Sequence, residues 1–85
     1  MKQFTYTVQD EMGIHARPAG QVVKFAKTLQ SKVTIEKDGA AADAKRMISL
    51  LSLNVLKGET ITVCIEGETE EQDAADAEAF FHQTL

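Results

Sequence analysis

The chain switches between two hydrophobic periods, and the switches divide it into elements. Phe4, Tyr6 and Val8 fall on one side of residues 3–8 with Thr5 and Thr7 on the other, the two-residue period of a half-buried strand. Residues 16–29 change to helical spacing, with Ala19, Val22, Val23, Ala26 and Leu29 on one stripe. Val33 and Ile35 return to period two, and Asp38-Gly39 is a hairpin signal joining 33–37 to a short strand at 40–43. Residues 46–53 read as a short apolar helix and Leu56-Lys57-Gly58-Glu59 as a turn. Ile61, Val63 and Ile65 then alternate with Thr60, Thr62 and Cys64. Ala74, Ala77, Phe80 and Phe81 mark the inner stripe of a last helix ending at about residue 83, and Thr69-Glu70-Glu71-Gln72 at its start has the capping-box pattern.

The predicted order is βαββαβα. Strands with one apolar face and helices with one apolar stripe bury each other as two layers. The expected fold is therefore α+β: a four-stranded antiparallel sheet with three helices on one face. Nothing in the chain reads as a linker, a repeat or a low-complexity tract, so residues 1–85 are expected to make one domain.

One stretch is chemically dense. Gly13-Ile14-His15-Ala16-Arg17-Pro18-Ala19-Gly20 holds a histidine, an arginine and the only proline of the chain. Pro18 fits a helix only in its first turn, where no earlier helical carbonyl obstructs the ring. The helix must then begin near residue 16, with His15 at its N-cap. That end of a helix has free N–H groups and the positive pole of the dipole, and it attracts anions. Neutral imidazole is a nucleophile able to attack phosphorus, and the product would carry roughly −1.5 to −2 charge. The N–H groups of Ala16 and Arg17 would hold phosphoryl oxygens, and the Arg17 guanidinium adds a fork of donors. The same dipole disfavours imidazolium and keeps His15 reactive. Taken alone, the four-residue motif equally fits a histidine that merely precedes a helix beside a solvated arginine.

Composition narrows the class. Nine basic against thirteen acidic residues leave a net charge of −4, which argues against nucleic-acid binding. The sum hides an asymmetry: Arg17, Lys24, Lys27 and Lys32, with His15, meet no carboxylate between residues 12 and 32, whereas Glu66, Glu68, Glu70, Glu71, Asp73, Asp76 and Glu78 meet no cation. A single cysteine, Cys64, excludes an internal disulfide and fits a reducing compartment. With neither a signal-peptide pattern nor a membrane-length apolar run, the expected setting is cytoplasmic. Metal-ligand spacing and a glycine-rich nucleotide loop are also missing, so neither metal nor cofactor is expected. A group that can be charged and discharged without its own nucleotide site describes a stoichiometric carrier rather than a self-contained enzyme.

The stretch from Gly13 to Gly20 resembles the phosphorylation site of HPr, the histidine phosphocarrier family of the phosphoenolpyruvate-dependent sugar phosphotransferase system. The likeness extends to Lys32-Val33-Thr34-Ile35, Ala42-Asp43-Ala44-Lys45, and Ser52-Leu53 before the Lys57-Gly58 turn. The family fold, an open-faced β-sandwich, has the same element order. The resemblance implies that His15 accepts a phosphoryl group from phospho-enzyme I and passes it to an EIIA domain, with Arg17 stabilising the phosphate and Pro18 fixing the helix start. It leaves open a relay serving something other than sugar, or a regulatory binding module. The family's regulatory serine is absent: Arg46 stands there, so phosphorylation at that position by the HPr kinase is not expected. Asn54 replaces the family's glycine, and asparagine is the next most tolerant residue for a left-handed helix end.

On a helical wheel Met47, Ile48 and Leu51 share one arc, with Leu50 and Leu53 roughly opposite. We expect Leu50 and Leu53 in the core and the other arc exposed as a docking patch. The resemblance places Gly20, Gln21, Lys24 and Lys27 beside the active histidine, so these residues and Arg46 are expected to rim that patch. The expected partners are enzyme I and EIIA, without insertion into a membrane, and a shuttling carrier is expected to be a monomer. His82, the thiol of Cys64 on the outer side of its strand, and the acidic run at 66–78 are expected to be bland, the last as a solvated helix start.

Overall fold

The computed structural model describes residues 1–11, 13, 14 and 16–85. The elements follow in the expected order: β1 (Lys2–Thr7), α1 (Ala16–Lys27), β2 (Lys32–Lys37), β3 (Ala40–Asp43), α2 (Met47–Leu51), β4 (Thr60–Glu66) and α3 (Glu70–Thr84). The strands form one antiparallel sheet in the order β1-β4-β2-β3. It is an open α+β sheet carrying three helices, as the patterning predicts.

The register explains why β4 is central. Val63 lies opposite Phe4 on one side and Ile35 on the other, so three strands bring apolar side chains to one face. Ile61, Val63 and Ile65 are wholly buried there beside Val33 and Ile35. Ala19, Val22, Val23 and Ala26 from α1, Leu50 from α2, and Ala77 and Phe81 from α3 complete the core. Phe81 meets Phe4 and Tyr6 edge-on, with ring centres 6.0 and 6.1 Å away.

Where the boundaries move, the cause is local. α1 stops at Lys27 rather than 29 because the Thr28 hydroxyl donates to the Phe25 carbonyl at 2.6 Å, competing for the acceptor that the helix would continue on. The hairpin turn has positive φ at both Asp38 and Gly39, as a two-residue turn of this type requires. α2 covers only Met47–Leu51, and Asn54 beyond it takes φ +50, the left-handed conformation that ends such helices.

The capping box at α3 is not formed. The Thr69 hydroxyl donates to Asp73 Oδ2 at 2.7 Å instead of accepting from the helix. Glu70, not Gln72, reaches back, accepting from the Gly67 N–H at 3.2 Å. Asp73 takes the hydroxyl as a buried carboxylate that needs donors in place of water.

Candidate functional site

The loop from β1 to α1 is pinned from three sides. Val8 exchanges hydrogen bonds with the 58–59 turn: its N–H donates to Glu59 O at 3.0 Å, and Gly58 N–H donates to Val8 O at 2.9 Å. Gln9 and Asp10 both donate their N–H groups to Leu85 O at 2.7 Å. At the far end of the loop, Ile14 N–H donates to Val55 O at 2.9 Å. Gly13 makes that approach possible: its φ is +66, and a Cβ there would collide with the Val55 carbonyl.

α1 opens at Ala16, as Pro18 dictates, and Pro18 in the first turn is buried while Arg17 is exposed. The N–H groups of Ala16 and Arg17 lie in the first turn, with no earlier helical carbonyl to accept them, and Pro18 has no N–H to satisfy. The predicted N-cap residue, His15, lies outside the described residues.

α2 settles the division of its apolar side chains. Leu50 and Leu53 are buried, and Ile48 stands 85% exposed. Met47 and Leu51 depart from the expected arc: both are half-buried against the core. For Met47 the reason is the close approach of α1, where Gly20 has no side chain and Met47 Cε occupies the adjoining space, 3.8 Å from where a Cβ would stand. Gln21, Lys24 and Lys27 are exposed on α1, and a groove between the two helices is lined by Val23, Lys27, Lys45, Arg46, Met47, Ile48 and Ser49. Of the predicted rim, Lys27 and Arg46 thus share this groove with Met47 and Ile48, whereas Gln21 and Lys24 line a separate groove with Phe25 and Phe80. Arg46 occupies the N-cap of α2 in an extended conformation and makes no side-chain cap. Its Nε lies 3.8 Å from Asp43 Oδ2.

Sequence reasoning missed several groups. Asp73, assigned to a solvated run, is buried and accepts from the Ser31 hydroxyl at 2.6 Å, the Ser31 N–H at 3.2 Å and the Thr69 hydroxyl. The Ser31 hydroxyl is the main cause of its lowered pKa, which wins over the opposing effect of burial. Lys37 is clamped by three acceptors near the end of α2, and its ammonium is the main cause of a lowered pKa at Glu59. The helical period of the acidic run offered one clue to Asp73, since it precedes Ala77 and Phe81 on the same stripe. Lys37 gave no local signal. Cys64, expected on the outer side of its strand, is nonetheless buried, and burial followed by Glu36 pushes its thiol pKa up. Among the described residues, no cluster of His, Cys, Asp and Glu could hold a metal ion, and no helix is long and apolar enough to cross a membrane.

This sheet, with a proline-started helix behind a pinned loop, has close parallels. A family model described as the PTS HPr component phosphorylation site matches residues 2–83. The phosphocarrier protein HPr of Borreliella burgdorferi is 41% identical over 64 residues, covering 75% of this chain and 74% of the relative. That of Lysinibacillus sphaericus is 38% identical over 72 residues, covering 85% and 82%. Among solved structures, HPr from Thermoanaerobacter tengcongensis superposes with a TM-score of 0.92 at 30% identity, covering 99% of this chain and 94% of that one. Crh of Bacillus subtilis, a catabolite-repression protein crystallised as a swapped dimer, superposes at 0.77 with 33% identity, covering 100% and 98%. The chain belongs to the HPr family of phosphocarriers of the phosphotransferase system.

Proposed function

We propose that the protein carries a phosphoryl group on His15, received from phospho-enzyme I and handed to an EIIA domain for sugar uptake. The family match across residues 2–83 carries this reading, because the acceptor histidine, Arg17 and Pro18 are all present within it. The imidazole nitrogen bonds to phosphorus as the donor histidine leaves, and the reverse exchange on the next partner frees His15 again. Arg17, exposed in the first turn, neutralises the dianion during both exchanges.

Docking uses Ile48 and the exposed edges of Met47 and Leu51, ringed by Arg17, Lys24, Lys27 and Arg46, with Gly20 and Gln21 between. Charge complementarity with an acidic partner speeds encounter more than it tightens the complex, which suits a carrier that must leave. The carrier acts as a monomer in the cytoplasm.

The test is incubation with enzyme I and labelled phosphoenolpyruvate. Acid-labile label on the wild-type protein and none on His15→Ala supports the carrier. An unlabelled wild type beside an enzyme I that labels a known HPr overturns it in favour of a regulatory binding module.

A further inference from the structure

The segment that follows α2 holds both ends of the β1–α1 loop. Glu59 O and Gly58 N–H bond to Val8, and Val55 O receives the Ile14 N–H, one residue before His15 in sequence. Leu53 and Val55 anchor this segment in the core, and one side chain from β2 clamps its backbone from outside. Lys37, the last residue of β2, sends its ammonium to Asn54 O at 2.8 Å, Leu53 O at 3.3 Å and Glu59 Oε1 at 2.9 Å. An ammonium has three N–H donors, and all three find acceptors here. Glu59 Oε1 also takes the Leu56 N–H at 2.7 Å, so the ion pair closes the turn from within.

The contacts are not those of a solvated surface pair. The Lys37 side chain is only 15% exposed, and two of its acceptors are the main-chain carbonyls of Leu53 and Asn54, just past the C-cap Ser52 of α2. These carbonyls lie just beyond α2, outside any helix or strand, so the ammonium supplies donors that regular structure would otherwise provide. Asn54, with φ +50, needs such support, because its left-handed backbone is less comfortable than a glycine's would be.

We propose that Lys37 is a positioning residue for phosphoryl transfer: it locks the 53–59 segment, which sets the loop leading into the phosphoacceptor. This rests on the carrier reading above. Lys37 touches no substrate; it acts through Asn54, Glu59 and Val55. A displaced acceptor loses near-attack geometry, and a shift of about 1 Å can cost up to ~100-fold in rate.

The experiment compares wild type, Lys37→Met, Lys37→Arg and Glu59→Gln. Each is first checked for a wild-type circular-dichroism spectrum. Labelling by enzyme I and phosphoenolpyruvate is then measured as kcat and KM for the carrier, alongside hydrogen exchange of the Ile14 and Val63 amides. Expected for Lys37→Met is a fall of about tenfold in kcat, little change in KM, and loss of Ile14 protection while Val63 stays protected. Lys37→Arg should recover most of the rate, and Glu59→Gln should show a smaller loss. Wild-type kcat and Ile14 protection in folded Lys37→Met overturn the proposal. If Lys37→Met does not fold, a wild-type kcat in Glu59→Gln with unchanged Ile14 exchange overturns it instead. An unlabelled wild-type protein sinks the carrier reading itself, and the wild-type lane distinguishes that failure from failure of the clamp.

Discussion

The Ser31 hydroxyl donates to Asp73 Oδ2 across 2.6 Å, joining the segment before β2 to the first turn of α3, 42 residues away. The carboxylate also takes the Ser31 N–H and the Thr69 hydroxyl, so three donors converge on one oxygen of this buried group. Gly67 completes the junction, since a Cβ there would stand 2.9 Å from Ser31 Oγ.

Ser31→Ala should lower stability by about 1–3 kcal/mol, because it strips the strongest donor from a buried carboxylate. In a domain of this size that corresponds to a fall in Tm of roughly 4–8 °C per kcal/mol. Thermal unfolding followed by circular dichroism checks it.

The same junction sets an acid dependence. Asp73 is held below the ordinary aspartate value of about 3.9, chiefly by the Ser31 hydroxyl. A lowered folded-state pKa contributes stability that is present above the unfolded value and lost as pH falls through the folded one. The stability gap between wild type and Asp73→Asn should therefore be constant near neutrality and shrink below about pH 4. Urea titrations at several pH values measure it; a gap unchanged down to pH ~2 refutes the assignment.

Gly13→Ala should both destabilise the protein and impair phosphoryl acceptance. The left-handed backbone alone costs a non-glycine residue on the order of 1–3 kcal/mol, and the collision with the Val55 carbonyl adds to this. Gly39→Ala is the control: its φ is also positive, yet nothing lies within 4 Å of a Cβ there. It should lose stability while leaving transfer intact.

Ile48 separates docking from folding. At 85% exposure it contributes little to the core, so Ile48→Ala should change stability by less than about 0.5 kcal/mol. Transfer from phospho-enzyme I should nevertheless slow, through a raised KM. Wild-type kinetics in this variant would remove Ile48 from the docking face.

Arg46→Ser should restore an N-cap and raise stability by about 1 kcal/mol. If Arg46 also attracts acidic partners, the same change should reduce kcat/KM at low salt, with the difference closing near 1 M salt, where screening reaches about 3 Å. Equal kinetics at low salt leave Arg46 without a part in docking.

The chain itself determined what depends on near neighbours. Pro18 set the start of α1, the Asp38-Gly39 pair set the hairpin, and period-two runs set β1 and β4, since sterics and side-chain spacing act within a few residues. Leu50 and Leu53 were legible as core for the same reason. Only the tertiary structure decided which distant groups meet: Asp73 with Ser31, Lys37 with the end of α2, Val55 with Ile14, and Met47 over Gly20. Those contacts depend on how sheet and helices pack in space, and local spacing carries no record of partners that folding brings together from far along the chain.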